Sequence, residues 1–167
     1  EEFYRGYGVS ACATCDSRFF KNKEVAVIGG GNTALDEALH LTNYASKVTI
    51  IHRRDAFRAD QVMIDRVVAN HKINIMWNSQ LLEVLGHGSG QYGDPKEVTA
   101  IRILQRGNEV ELPMNGVFIA VGHEPATQIF KSQQEGGGSI LPENISLLDS
   151  DNYIKVIPNT PFTAIKG

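Results

Sequence analysis

Apolar residues along this chain follow two kinds of pattern. Short, mostly β-branched runs occupy residues 24–28, 47–51 and 73–77. Between the first two, apolar or small side chains recur at Ala34, Leu35, Ala38, Leu39, Leu41 and Ala45, with Asp36, Glu37, His40 and Asn43 among them. Unbroken runs predict strands buried on both faces, and the recurring spacing predicts an amphipathic helix. A second helix is predicted over 58–70, where Ala59, Val62, Met63, Val67 and Val68 keep near-helical spacing. Strand, helix, strand, helix, strand with right-handed crossovers makes a parallel sheet. The pattern then changes. Residues 81–86, 97–105 and 109–112 alternate apolar and polar between turns at Gly88-Ser89-Gly90 and Gly107-Asn108, which predicts a three-stranded antiparallel meander before 117–121 rejoins the parallel sheet. The fold class is therefore α/β: a Rossmann-like parallel sheet with helices on one face and the meander on the other.

The first strand runs into Gly29-Gly30-Gly31-Asn32-Thr33-Ala34, which fits G-x-G-x-x-G/A with Ala34 in the third place. Gly29 lets the chain reverse, Gly31 lets backbone approach a pyrophosphate, and small Ala34 lets the helix pack on the strand. Free N–H groups and the helix dipole favour a phosphate at that helix start. About twenty residues on, where an NAD site usually has a carboxylate, stand His52-Arg53-Arg54, with Arg58 beyond. Guanidiniums clamp a 2′-phosphate that a carboxylate would repel, so the cluster points to NADPH over NADH. The alternative is a solvated basic strand end with Asp55 and Asp60 as ion-pair partners.

Charge and cysteine content narrow the chemistry further. With 16 Lys and Arg against 19 Asp and Glu, the slight acidic excess argues against general nucleic-acid binding, and no apolar run is long enough to cross a membrane. The chain does not begin with methionine and is expected to be part of something longer. Its only two cysteines stand together as Cys12-Ala13-Thr14-Cys15, followed by Asp16. Two thiols at this spacing can close a small disulfide ring that moves two electrons by exchange, and Asp16 can handle the proton. A zinc site would need two further ligands, and the five histidines contain no H-x₃₋₅-H pair, so no metal is expected. A chance cysteine pair is the remaining alternative. His87, Trp77 and Tyr92 read as packing or turn residues.

The run Gly8-Val9-Ser10-Ala11-Cys12-Ala13-Thr14-Cys15-Asp16, then the turn 27–34, then His52-Arg53-Arg54-Asp55 with Phe57-Arg58-Ala59, resembles the low-molecular-weight thioredoxin reductases. Residues 116–125 are similar to that family's returning strand and G-H-x-P turn. The resemblance implies the central domain of an FAD/NAD(P)-linked disulfide reductase, in which electrons pass from NADPH to FAD to the CxxC disulfide to thioredoxin. It implies that Cys15 faces the flavin, that Cys12 attacks thioredoxin, and that Asp16 is the acid. It places Gly29, Gly31, Asn32 and Thr33 along the pyrophosphate and His52, Arg53, Arg54 and Arg58 around the 2′-phosphate.

On the same basis, 1–125 is the NADPH-binding domain carrying the redox pair and 126–167 is a C-terminal remnant of the FAD-binding domain, with 153–156 a strand of that domain. FAD would belong to the full-length protein only, a cytoplasmic homodimer with thioredoxin as partner and neither nucleic acid nor membrane involved. The fragment alone is expected to lack turnover. Hinges are expected near Tyr7-Gly8 and 122–125. One departure from the family pattern is Ser17-Arg18, where glycine usually follows Cys-Asp. Two alternatives remain: the corresponding domain of an alkyl hydroperoxide reductase flavoprotein, which usually lacks the HRR cluster, and a non-catalytic NADP-binding sensor.

Overall fold

The computed structural model describes residues 2–122, 125–127, 130 and 147–163. The chain divides into two compact units, residues 1–122 and 123–167. In the first, five strands form a wholly parallel sheet: β1 (Val9–Ser10), β2 (Glu24–Ile28), β3 (Lys47–Ile51), β4 (Ile73–Met76) and β8 (Gly116–Ile119). Their order is β1-β8-β2-β3-β4. A separate antiparallel sheet contains β5 (Ser79–His87), β6 (Glu97–Gln105) and β7 (Asn108–Pro113).

Side chains alternate across the parallel sheet. Val25, Val27, Val48, Ile50 and Phe118 meet Leu35, Ala38 and Leu41 of helix α2 (Asn32–Leu41) and Val67 of α3 (Gln61–Val68). Their neighbours Ala26, Ile51 and Val117 face the other way and pack on Val84, Val98, Ile101 and Ile103 of the meander. Both faces are covered, which is why the strands read as continuous apolar runs. The carboxyl end of α2 is closed by Lys72, whose ammonium donates to the carbonyls of Thr42 at 2.7 Å and Ala45 at 3.2 Å. A cation there satisfies orphan carbonyls and opposes the negative end of the helix dipole.

Several boundaries differ from the sequence expectation. Helix α3 starts at Gln61 rather than 58, because the Arg58 N–H donates to the Gly30 carbonyl at 2.7 Å in an isolated parallel bridge between Gly31 and Arg58. In this short helix Val67 is buried, whereas Val62 and Val68 face solvent. Strand β8 stops at Ile119, leaving Val121 exposed. The described chain also forms four elements without a periodic signal: the 3₁₀ segment Glu2–Tyr4, the two-residue β1, the single-turn helix α1 (Ala13–Asp16) and the 3₁₀ segment Ser17–Phe20.

In the second unit, the Asp149 carboxylate accepts the N–H groups of Asp151 and Tyr153, both at 2.9 Å, and Thr127 Oγ1 donates to the Asn152 carbonyl at 2.6 Å. Where the resemblance implies a strand at 153–156, Ile154 makes only an isolated antiparallel bridge to Leu148. His123 and Glu124 of the G-H-x-P turn, and the polar stretch 133–139, lie outside the described residues.

Candidate functional site

Strand β2 lies at the middle of the parallel sheet, with β3 and β4 added on one side and β8 and β1 on the other. The crevice beyond the carboxyl ends of strands at such a reversal is where ligands of open α/β sheets bind. A hollow of about 460 Å³ occupies this place, and Ile28, Gly29, Gly30, Gly31, Thr33, His52, Arg53, Arg54 and Arg58 are among the residues that line it. Thus the glycine turn and the basic cluster, separate in sequence, meet on one cavity. Ser79, Gln80 and the 120–122 segment also line it, and local sequence carried no signal for the first two.

The glycines have different causes. At Gly29, φ is +148°, and a Cβ would run into the Ala120 carbonyl and lie 2.9 Å from the Ala34 Cβ, so the fold itself requires glycine. Gly31 is the opposite case. As the residue capping α2 it has φ −98° and ψ −179°, and a Cβ would meet only the Arg58 carbonyl oxygen, at 3.7 Å. Nothing in the protein excludes a side chain there. Glycine at 31 fits a group that approaches the turn from the hollow, and no side chain caps the N-terminus of α2 in competition with it.

Arg53, Arg54 and Arg58 are exposed, and among the described residues none has a carboxylate within 4.0 Å. Asp60, a partner only under the alternative of a solvated strand end, accepts from Asn32 Nδ2 at 3.0 Å and donates its N–H to Asn32 Oδ1 at 2.8 Å. The Asn32 side chain therefore ties the starts of α2 and α3 together. The His52 ring is buried beneath Gly30, where a Cβ would collide with it, and shares an Nε2 hydrogen bond with the Ala56 carbonyl at 3.0 Å. It packs with Phe57 and Trp77, whose ring centroids are 4.4 Å apart. This aromatic cluster holds the turn on which the arginines stand.

The cysteines follow β1 and form a disulfide, with Cα atoms 5.3 Å apart. Cys12 caps α1, its Sγ accepting the Cys15 N–H at 3.2 Å, and its own N–H donates to Ser10 Oγ at 3.0 Å. Cys15 is exposed and Asp16 half-buried beside a second hollow of about 370 Å³, which Phe19, Lys23 and Lys96 also line. Ser17 is buried, and its hydroxyl lies 3.3 Å from His40 Nε2 on α2; Arg18 points to solvent. The Ser-Arg departure is thus absorbed by one hydrogen bond and one exposed side chain. Because β8 separates β1 from β2, the disulfide and the glycine turn start from strands about 10 Å apart on the same sheet edge. Neither cysteine lines the glycine-walled hollow.

Among the described residues, no group of three or more His, Cys, Asp or Glu could hold a metal, and no helix is long and apolar enough to cross a membrane.

Comparison with known proteins gives a consistent picture. The thioredoxin reductase of Rickettsia conorii is 44% identical over 170 aligned positions, covering 100% of this chain and 49% of that protein. A Pseudomonas fluorescens protein named glucosaminate ammonia-lyase is 51% identical over 137 positions, covering 80% of this chain and 41% of its own length. The crystal structure of Lactococcus lactis thioredoxin reductase superposes with a TM-score of 0.75 at 35% identity, over 92% of this chain and 45% of that one. The chain spans about half the length of these curated thioredoxin reductases. Residues 2–152 match the family model described as pyridine nucleotide-disulphide oxidoreductase. With its glycine-walled hollow and its disulfide in one unit, the chain belongs to the pyridine nucleotide-disulphide oxidoreductase family.

Proposed function

We propose that this chain is the NADPH-binding, disulfide-carrying part of a thioredoxin-disulfide reductase, with 1–125 as the NADPH domain and 126–167 as the segment returning to an FAD domain. The observation that carries the cofactor choice is that Arg53, Arg54 and Arg58 line the same hollow as the glycine turn and have no described carboxylate partner. Gly29, Gly31 and Thr33 receive the pyrophosphate at the start of α2, and the arginines take the 2′-phosphate. Asn32 and His52 shape the turn from behind, through Asp60 and Ala56 respectively.

Cys12 and Cys15 accept the two electrons that NADPH gives up as hydride and, with one further proton, become two thiols. A flavin, if held by the remainder of a longer protein, would supply the two-electron chemistry that links nicotinamide to sulfur. Cys12 then attacks the disulfide of thioredoxin, the mixed disulfide resolves onto Cys15, and the original bridge returns. Asp16, adjoining Cys15, supplies the proton for the departing thiolate. The whole protein is read as a cytoplasmic homodimer.

Titration calorimetry with NADP⁺ and NAD⁺ tests the reading. NADP⁺ is expected to bind more tightly by about 2–3 kcal/mol, roughly 30- to 150-fold, and the Arg53→Ala/Arg54→Ala double variant should lose that preference. Equal affinity of the unaltered chain for the two nucleotides would overturn the assignment.

A further inference from the structure

A further, smaller hollow adjoins the main one at Arg53. This hollow of about 160 Å³ is lined by Arg53, Asn78, Ser79, Gln80, Leu104, Arg106 and Gly107; it shares Arg53, Ser79 and Gln80 with the main hollow. Arg106 and Gly107 are the two residues connecting β6 to β7, as the pairing of Gln105 with Asn108 requires. We propose that Arg106 is a further determinant of nucleotide choice, a fourth guanidinium directed at the 2′-phosphate of NADPH from the meander side. The proposal rests on reading the main hollow as the NADPH site.

Two observations carry it. The first is how this turn is fixed in place. The Arg106 N–H donates to the Asn78 carbonyl at 3.3 Å, and the Asn78 N–H donates to the Arg54 carbonyl at 3.1 Å. A chain of two backbone hydrogen bonds therefore stitches the β6–β7 turn, through the β4–β5 turn, to the loop that bears Arg53 and Arg54. The second is the residue type. Both turn residues have positive φ, +49° at Arg106 and +85° at Gly107, the geometry in which two-residue hairpins favour Asn-Gly. Arginine is a poor choice for that backbone, and local rules of this kind are most often broken where a side chain serves a site. Like the other three arginines, Arg106 has no carboxylate within 4.0 Å among the described residues.

The same geometry supplies a clean test. Arg106→Asn removes the charge while giving the turn the residue it favours, so the variant should melt at the same temperature as the parent or higher. Calorimetry on the 167-residue chain would compare NADP⁺, 2′,5′-ADP and NAD⁺. The expected result is about five- to tenfold weaker binding of NADP⁺ and 2′,5′-ADP, with NAD⁺ changed by less than about twofold. Arg102→Ala, which deletes a partly exposed cation paired with Glu83 at 2.8 Å, controls for net charge and should leave all three affinities as they were. If Arg106→Asn binds NADP⁺ like the parent while Arg53→Ala loses it, the role of Arg106 is refuted and the NADPH reading stands. If the parent itself fails to distinguish NADP⁺ from NAD⁺, the NADPH reading falls and this proposal with it.

Discussion

Gly31→Ala separates what the fold needs from what a ligand needs. The backbone at Gly31 has φ −98° and ψ −179°, which alanine adopts without strain, and the new methyl would meet only the Arg58 carbonyl oxygen, at the ordinary distance of 3.7 Å. Removing a glycine from such a position restricts the unfolded chain and stabilises the fold by about 0.4–1 kcal/mol. The melting temperature should therefore hold or rise by a few degrees. Binding should move the other way. A methyl group set between the turn and a pyrophosphate forces one of them to shift, at about the 1–3 kcal/mol that overpacking costs, which weakens NADP⁺ binding roughly five- to 150-fold.

Gly29→Ala is the counterpart. There the Cβ meets the Ala120 backbone and the backbone is left-handed at +148°, so strain and overpacking together should cost about 2–5 kcal/mol and lower the melting temperature by about 4–20 °C. Differential scanning calorimetry and nucleotide titration on the two variants read both quantities. If Gly31→Ala bound NADP⁺ as well as the parent, the pyrophosphate would not lie along this turn. If it melted well below the parent, the claim that the fold tolerates a side chain there would be wrong.

Two further outcomes follow from the redox pair. Alkylation and mass spectrometry of the air-oxidised chain should find Cys12 and Cys15 blocked until a dithiol is added, since they are bridged in the structure; two freely alkylated thiols would contradict the exchange role. With thioredoxin, a disulfide dye and added FAD, the chain by itself should not consume NADPH as followed at the nicotinamide absorbance band, because neither cysteine lines the glycine-walled hollow; turnover would dismantle the relay.

The parts of the fold legible from sequence were those whose burial is two-sided or strictly alternating. The runs 24–28, 47–51 and 97–105 coincide with β2, β3 and β6 at both ends. Turns and short elements are legible only where a glycine or a motif marks them, so the sequence shows the CxxC but not β1, which precedes it, or α1, which Cys12 caps. Apolar spacing extends helix α3 backward over Arg58 because it does not register a hydrogen bond to Gly30, a residue distant in sequence. The site divides similarly. Glycines and arginines carry their chemistry in their residue type, but whether His52 and Asn32 face the hollow depends on Ala56, Trp77 and Asp60, and that pairing exists only in three dimensions. Arg106 was silent for the same reason: its turn is local, but its neighbour Arg53 is contributed by another sheet.

Four guanidiniums lining two neighbouring hollows, with no carboxylate among them in the described structure, make the melting behaviour of this protein a property of its buffer as well as its sequence. Any anion that settles among them binds the folded state and not the unfolded chain, and at one hundred times its dissociation constant it adds about 2.7 kcal/mol. Phosphate, citrate or sulfate in a storage solution would then act as a weak competitor of the nucleotide and a stabiliser at once. Affinities measured in phosphate would understate the true ones, and comparisons between variants lacking one of these arginines would be compressed, since the parent alone would be fully occupied by the salt.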